Sequence, residues 1–430
     1  LNPNYREDEF AFYLDDLAAK AIVLEAGYTG PAQAAAQQQG IAILRLHHDS
    51  DVAGKFSLTG EGAKAVDKAE LPDHNDIALI LHTSGTTSRP KIVPLWQSNI
   101  TASSRNIAIS LNLTSSDRCM NVMPLFHIHG LIAAVASSLS VGASIWCTGG
   151  FNAMTFFASM SAAKPTWYTA VPTMHQAILS RAGRNEETIK ANPLRFLRSS
   201  SASLPAQVMQ ALRETFNAPV VEAYGMTEAT HQMCCNPLEC QKPGSVGVPA
   251  GPEVRIAHES DNHLIKGIGE VVISGPNVTP GYESNPDANA KNFFEVEGKR
   301  WFRTGDQGFF DREGFLELTG RLKEIINRGG EKISPLEVDG MLMDFPAIAQ
   351  VVTFSLPHPK LGEEVAAAVV LRDGQEASAR DIRDFAATRM ADFKVPRKVV
   401  ILDEIPKGAT GKMQRIGMAE KLGLVERQDK

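Results

Sequence analysis

Short apolar runs alternate with amphipathic stretches through the first 235 residues, and this rhythm constrains the fold more than any other feature. The runs "KAIVLE", "GIAILRL", "DIALILHTSG", "RCMNVMP", "ASIWCT" and "PTWYTAVP" are strand-like. Residues 6–20 (Phe10, Tyr13, Leu14, Leu17), 97–111, 128–140 and 152–162 carry helical spacing between them. Strand, helix and next strand in that order make parallel neighbours joined by crossovers, with helices covering both sheet faces. The expected fold class is therefore α/β, a large N-terminal domain of wound parallel sheets over residues 1 to about 235.

The texture changes at "GSVGVPAGPEVRIA". From there to "GFFDREGFLELTGR" the chain is short β runs cut by Gly, Pro and Asn, which predicts a small β-barrel-like subdomain over 236–320. After Arg321, "LKEIINRGGEKISPLEVDGMLMDF", "IAQVVTFSLP", "EEVAAAVVLRDG" and "SARDIRDFAATRM" read as a compact α+β unit. The expected division is a large domain over 1–320, a hinge at 321–323 and a small mobile domain over 324–430. A chain of 430 residues is in any case too long for one ordinary core.

Charge and cysteine content exclude several functions. The formal net charge is -6, with Lys and Arg scattered, so no basic stripe tracks a nucleic acid and any polyanion must meet local cations. The longest apolar stretch, "LIAAVASSLSVGASIW", contains four serines and is shorter than the ~20 residues a membrane helix needs. An odd count of five cysteines suggests reduced thiols in a cytosol-like compartment. The pair in "CCNPLEC" has no second CxxC to complete a zinc site. The start at Leu1, already in mid-pattern, leads us to expect a missing N-terminal segment. "VERQDK" carries no peroxisomal tripeptide, so the expected location is cytoplasmic.

Four polar clusters could carry chemistry. "LHTSGTTSRPK" follows a strand and offers hydroxyls and cations to phosphate, but lacks the second glycine of a Walker loop. A plain polar turn remains the alternative reading of that stretch. "VVEAYGMTEAT" sets an aromatic and a glycine ahead of Thr227 and Glu228, suited to a base, a phosphate and Mg²⁺. Asp306 sits in a "TGD" turn with Arg321 fifteen residues on, placed to accept ribose hydroxyls. Lys412 lies in "IPKGATGKMQR", where a lysine is ordinarily just solvated.

Taken together and in order, TSGTT-x-x-PK, YGMTE, TGD, GRLKE-x-I-x-x-GGEKI-x-P-x-E and PK-x-x-TGK resemble the acyl-activating, adenylate-forming superfamily of acyl-CoA synthetases. The resemblance covers essentially the whole chain. "PLFHIHGL", "PTWYTAVPTMHQ", "SSSASLP", "TEATHQM", "GPNVTPGY" and "PKGATGKMQR" are most similar to the oxalate–CoA ligase branch.

The resemblance implies ATP, Mg²⁺ and coenzyme A as co-substrates and a small carboxylic acid as the acyl donor. It further implies that Thr83, Ser84, Gly85, Thr86, Thr87 and Lys91 cradle the β and γ phosphates. Ser201, Ala202, Ser203, Glu222, Ala223, Tyr224 and Gly225 would surround the nucleotide, with Asp306 and Arg321 on the ribose. Thr227 would touch the α-phosphate, Glu228 would hold Mg²⁺, and Lys412 would bridge carboxylate and α-phosphate as the principal catalytic cation. His127, His129, Val171 and His231 would line the acyl pocket, where a packing role for each histidine is an equal alternative. Lys323 would be the hinge, and Gly329, Gly330, Glu331 and Lys332 would face CoA.

Ile92 stands where many relatives have glycine and is expected to stiffen the phosphate loop. Competing functions are a medium- or long-chain fatty acyl-CoA synthetase, an adenylation module serving a carrier protein, and a non-catalytic nucleotide binder. The protein is expected to be a monomer or homodimer.

Overall fold

The computed structural model describes residues 1–49, 52–60, 70–83, 90–406 and 413–425. The chain divides into two compact units, Leu1–Pro72 and Asp73–Lys430.

In the first unit, helices Glu7–Asp16 and Pro31–Gln38 pack Phe10 and Leu14 against Ala32, Ala35 and Ala36. The first helix is closed at its start by Glu9, whose carboxylate accepts from the Arg6 backbone N–H at 2.9 Å. Pro31 opens the second at a position where no N–H is needed. Strands Ala21–Glu25 and Ala42–His48 run parallel, and Phe56–Thr59 returns antiparallel to the latter.

The second unit is built on a seven-stranded sheet. Its order is Val248–Pro249, His231–Cys235, Val220–Met226, Phe196–Ser200, Trp167–Ala170, Arg118–Asn121 and Ser144–Cys147. The last five are mutually parallel, as the alternation predicts, and the first two are antiparallel. Side chains alternate along each strand: Trp167, Phe196 and Cys119 enter one core, while Tyr168, Leu197 and Met120 enter the other. Both faces are thus buried, which is why these strands read as unbroken apolar runs.

Two elements differ from expectation. "DIALILHTSG" does not join the wound sheet; Ile77–Thr83 pairs antiparallel with Lys91–Trp96 as a separate hairpin, because the intervening loop is too short for a crossover. Ile92 lies in that second strand opposite His82, with its carbonyl accepting from Glu283 N–H at 3.0 Å, so its branched side chain suits its backbone. The helix expected over 128–140 begins with a π-wound stretch, His129–Ala136, before Ser137–Leu139. Such widening recurs at functional sites.

Residues 253–321 form a six-stranded sheet in which every pairing is antiparallel, the longest strand being Lys299–Phe310. The C-terminal part is a five-stranded sheet covered by helices Pro335–Met343 and Ala379–Arg389. Among the described residues no helix is long and apolar enough to cross a membrane.

Candidate active site

The loops at the carboxyl ends of the parallel strands carry several of the expected site residues. His127 and His129 follow Arg118–Asn121, Val171 follows Trp167–Ala170, Ser201, Ala202 and Ser203 follow Phe196–Ser200, and Thr227 and Glu228 follow Val220–Met226. Ligands of open parallel sheets bind at this edge, because the loops there diverge and leave a crevice.

Two of the carboxylates expected at the nucleotide, Asp306 and Glu228, are each held by a tyrosine hydroxyl. Asp306 and Arg321 are register partners on adjacent antiparallel strands, with Arg321 Nε 3.3 Å from Asp306 Oδ1. The Tyr224 hydroxyl donates to the other carboxylate oxygen at 2.5 Å, and Asp306 N–H is held by Thr304 Oγ1 at 3.1 Å. The tyrosine ring is thereby fixed beside the carboxylate expected to grip ribose.

Glu228 is almost fully buried, and burial pushes its carboxyl above the usual range, opposed by the Tyr282 hydroxyl and the charge of Lys91. Tyr282 donates to Glu228 Oε1 at 2.8 Å, and the Lys91 ammonium lies 4.3 Å from the centre of the Tyr282 ring. Lys91 is itself paired in register with Thr83, the last residue of the preceding strand. The base of the expected phosphate loop is thus tied to Glu228 through Tyr282, a residue the motifs did not single out. Ser84, Gly85, Thr86, Thr87 and Lys412 lie outside the described residues.

Gly225 is required by a close approach. A β-carbon there would sit 1.7 Å from the His231 carbonyl oxygen, where the strand pairing slips by one residue. His231 and Ser201 both occupy left-handed backbone, at φ 93° and 73°. Such conformations in non-glycine residues concentrate at functional sites.

The residues expected to line the acyl pocket include a buried polar cluster around His129. His129 Nδ1 is 3.0 Å from Ser201 Oγ, and its Nε2 is 2.6 Å from Thr169 Oγ1. The His129 and His231 rings lie 5.0 Å apart, and His127 Nδ1 accepts from His129 N–H at 3.2 Å. Val171 is buried at the start of helix Pro172–Ala182.

Glu222, Ala223, Gly329 and Gly330 also have structural partners of their own. The Glu222 carboxylate is buried; its Oε1 accepts from Leu204 N–H at 2.9 Å and pins the loop carrying Ser201 to Ser203. Ala223 is buried and its carbonyl accepts from Ser200 Oγ at 2.7 Å. Gly329 and Gly330, with φ 60° and 97°, form the tight turn between Ile326–Arg328 and Glu331–Ile333. Two successive left-handed residues are what such a hairpin requires. In the same region Lys332 pairs with Glu259 at 2.7 Å, and Lys323 lines a cavity of about 320 Å³ with Ser355, Gly362, Arg415 and Glu420.

The chain is similar to known proteins over nearly its whole length. The family model described as AMP-binding enzyme matches residues 1–283, and that of the AMP-binding enzyme C-terminal domain matches 337–412. The chain is 47% identical over 428 residues to the oxalate–CoA ligase of Arabidopsis thaliana, covering 96% of this chain and 81% of that protein. It is 43% identical over 449 residues to the oxalate–CoA ligase of Saccharomyces cerevisiae, covering 98% and 81%. Among solved structures, ATP-bound MatB from Rhodopseudomonas palustris matches with TM-score 0.85 and 27% identity, over 98% of this chain and 82% of that one. The chain belongs to the AMP-binding enzyme family.

Proposed function

We infer that the protein is an ATP-dependent, AMP-forming carboxylate–CoA ligase and that its acid is oxalate. The acid attacks the α-phosphorus of ATP, pyrophosphate leaves, and the thiolate of coenzyme A then displaces AMP to give the thioester. The observation that carries the reading is the paired arrangement of Asp306 with Tyr224 and Arg321, and of Glu228 with Tyr282 and Lys91. The first group matches the hydroxyls of a ribose and the second the charge of a polyphosphate. Similarity to two oxalate–CoA ligases supports the choice of acid.

Mg²⁺ fits as a companion of ATP rather than as a resident ion. Among the described residues no cluster of three or more metal-ligating side chains exists. A single buried carboxylate, Glu228, suits an ion that keeps most of its shell from water and phosphate oxygens. Lys412 supplies the cation that neutralises charge on the α-phosphoryl group. Residues 321–323 act as the hinge by which the segment from 324 exchanges the Lys412 loop for the Gly329–Gly330 turn, and the chain works as a cytosolic monomer or homodimer.

The test is pyrophosphate release with oxalate, malonate, acetate and medium- and long-chain fatty acids, with and without coenzyme A. Oxalate should be fastest, and oxalyl-CoA should accumulate only with coenzyme A present. Release equal for fatty acids, or product formation indifferent to coenzyme A, would refute the reading.

A further inference from the structure

Arg198 is a cation buried without a counter-ion. It lies on the central strand Phe196–Ser200 and is 0% exposed. Its Nη2 donates to Gln232 Oε1 at 3.1 Å, its Nη1 lies 3.5 Å from His129 Nε2, and its Nε has no hydrogen-bond partner. No carboxylate pairs with it among the described residues. The acidic groups that sense it are the thiols of Cys119 and Cys235, both driven up by burial, the latter to about 11, so both are neutral near pH 7. Gln232 cannot turn to relieve it, because its Nε2 donates to Ser110 Oγ and to the Ala250 carbonyl, both at 3.1 Å. Burial lowers the guanidinium only to about 10, so the charge persists.

An isolated charge in the interior is costly unless something compensates it. What lies next to it is the polar end of the acyl site. A guanidinium only donates, so His129 Nε2, which faces Arg198 and the Thr169 hydroxyl, is the accepting nitrogen. The ring proton is therefore on Nδ1 and points at Ser201 Oγ, leaving the Ser201 hydroxyl proton to be given to a ligand anion.

Resting on the oxalate reading above, we propose that Arg198 is the residue that selects a dianionic acid, its charge acting through His129 and Ser201 on the carboxylate that does not react. It is a positioning residue, acting behind the groups that touch the acid. The chemistry it favours is a short acid with two carboxylates over an acid of the same shape with one.

The experiment compares oxalate with oxamate, in which an amide replaces one carboxylate, by pyrophosphate release from the full chain. The proteins are wild type, Arg198→Met and Arg198→Lys. Wild type should prefer oxalate, and Arg198→Met should raise the KM for oxalate by roughly 30-fold, the scale of a lost charge-assisted interaction, while the rate with oxamate changes less than about 3-fold. The KM for ATP should stay constant, and Arg198→Lys should recover part of the oxalate preference. Equal losses for both acids, or a fall in kcat alone, would mean a purely structural arginine and overturn the proposal. Should Arg198→Met fail to fold, the wild-type ratio decides: equal use of oxalate and oxamate overturns it. Wild type inactive with every acid would overturn the ligase reading, whereas wild type active on oxalate with no loss in Arg198→Met would overturn this proposal alone.

Discussion

Replacing Glu222 by glutamine separates two roles for a residue that motif matching assigns to the nucleotide. The side chain is 2% exposed and accepts from Leu204 N–H, and burial pushes its carboxyl from the ordinary 4.5 up to about 8, partly offset by that hydrogen bond. A carboxyl raised on folding contributes stability that is complete below pH 4.5 and is lost as pH rises through about 8. Glutamine keeps the acceptor for Leu204 N–H and has no charge to bury. The variant should therefore match wild type at pH 4 and gain on it by about 1.4 kcal/mol per pH unit above 4.5, reaching about 3 kcal/mol at pH 7 and about 5 kcal/mol beyond pH 8, as orders of magnitude. At about 2 cal/mol/K per residue, 3 kcal/mol in a chain of this length is about 3 to 4 °C in melting temperature. Thermal unfolding at pH 5, 7 and 9 measures the widening gap, and pyrophosphate release measures function. Activity within about 3-fold of wild type is expected, because the loop carrying Ser201 stays pinned. A fall of about 100-fold or more without a change in stability would show that the charge of Glu222 serves the ligand, and would refute the internal role.

Three further outcomes follow from other contacts. Tyr282→Phe removes the donor to Glu228, worth about 1.5–3 kcal/mol for a bond to a charged group; the KM for ATP should rise about 10-fold or more while that for the acid holds, in initial-rate assays. Gly225→Ala forces a β-carbon onto the His231 carbonyl, a backbone clash expected to cost more than about 3 kcal/mol, seen as loss of soluble protein or a sharply lowered melting temperature. His175 is buried between the Tyr168 hydroxyl and the Arg198 carbonyl, and burial lowers it from 6.5 to about 4. Its contribution is complete above pH 6.5 and is lost as pH falls through about 4, roughly 3 kcal/mol in all, so His175→Gln should flatten the acid side of a stability-versus-pH curve.

Local features of the fold were legible because each is decided within a few residues. The apolar runs of the parallel strands follow from burial on both faces. The hairpin Ile77–Thr83 with Lys91–Trp96 was not legible as such, since its first strand carries the same apolar signal as a strand of the wound sheet. The site divides along the same line. Asp306 and Arg321 could be paired from their motifs, and the register across the strand pair Lys299–Phe310 and Leu316–Arg321 brings them together.

What sequence could not reveal is which side chains meet from far apart in the chain. Tyr282 reaches Glu228 from 54 residues away and Arg198 reaches His129 from 69, and neither stands in a motif that announces a ligand. Arg198 reads in "RFLRSSS" like an ordinary polar position on a strand with one wet face. Only the burial of both faces of that strand turns it into an unpaired charge beneath the acyl site. The same burial leaves the Glu222 carboxylate accepting from the Leu204 backbone N–H. Charge in this region is therefore read correctly only together with the depth at which the fold places it: Asp306 and Glu228 accept from the hydroxyls of Tyr224 and Tyr282, Glu222 accepts from a backbone N–H, and Arg198 is left for an anion that the protein itself does not supply.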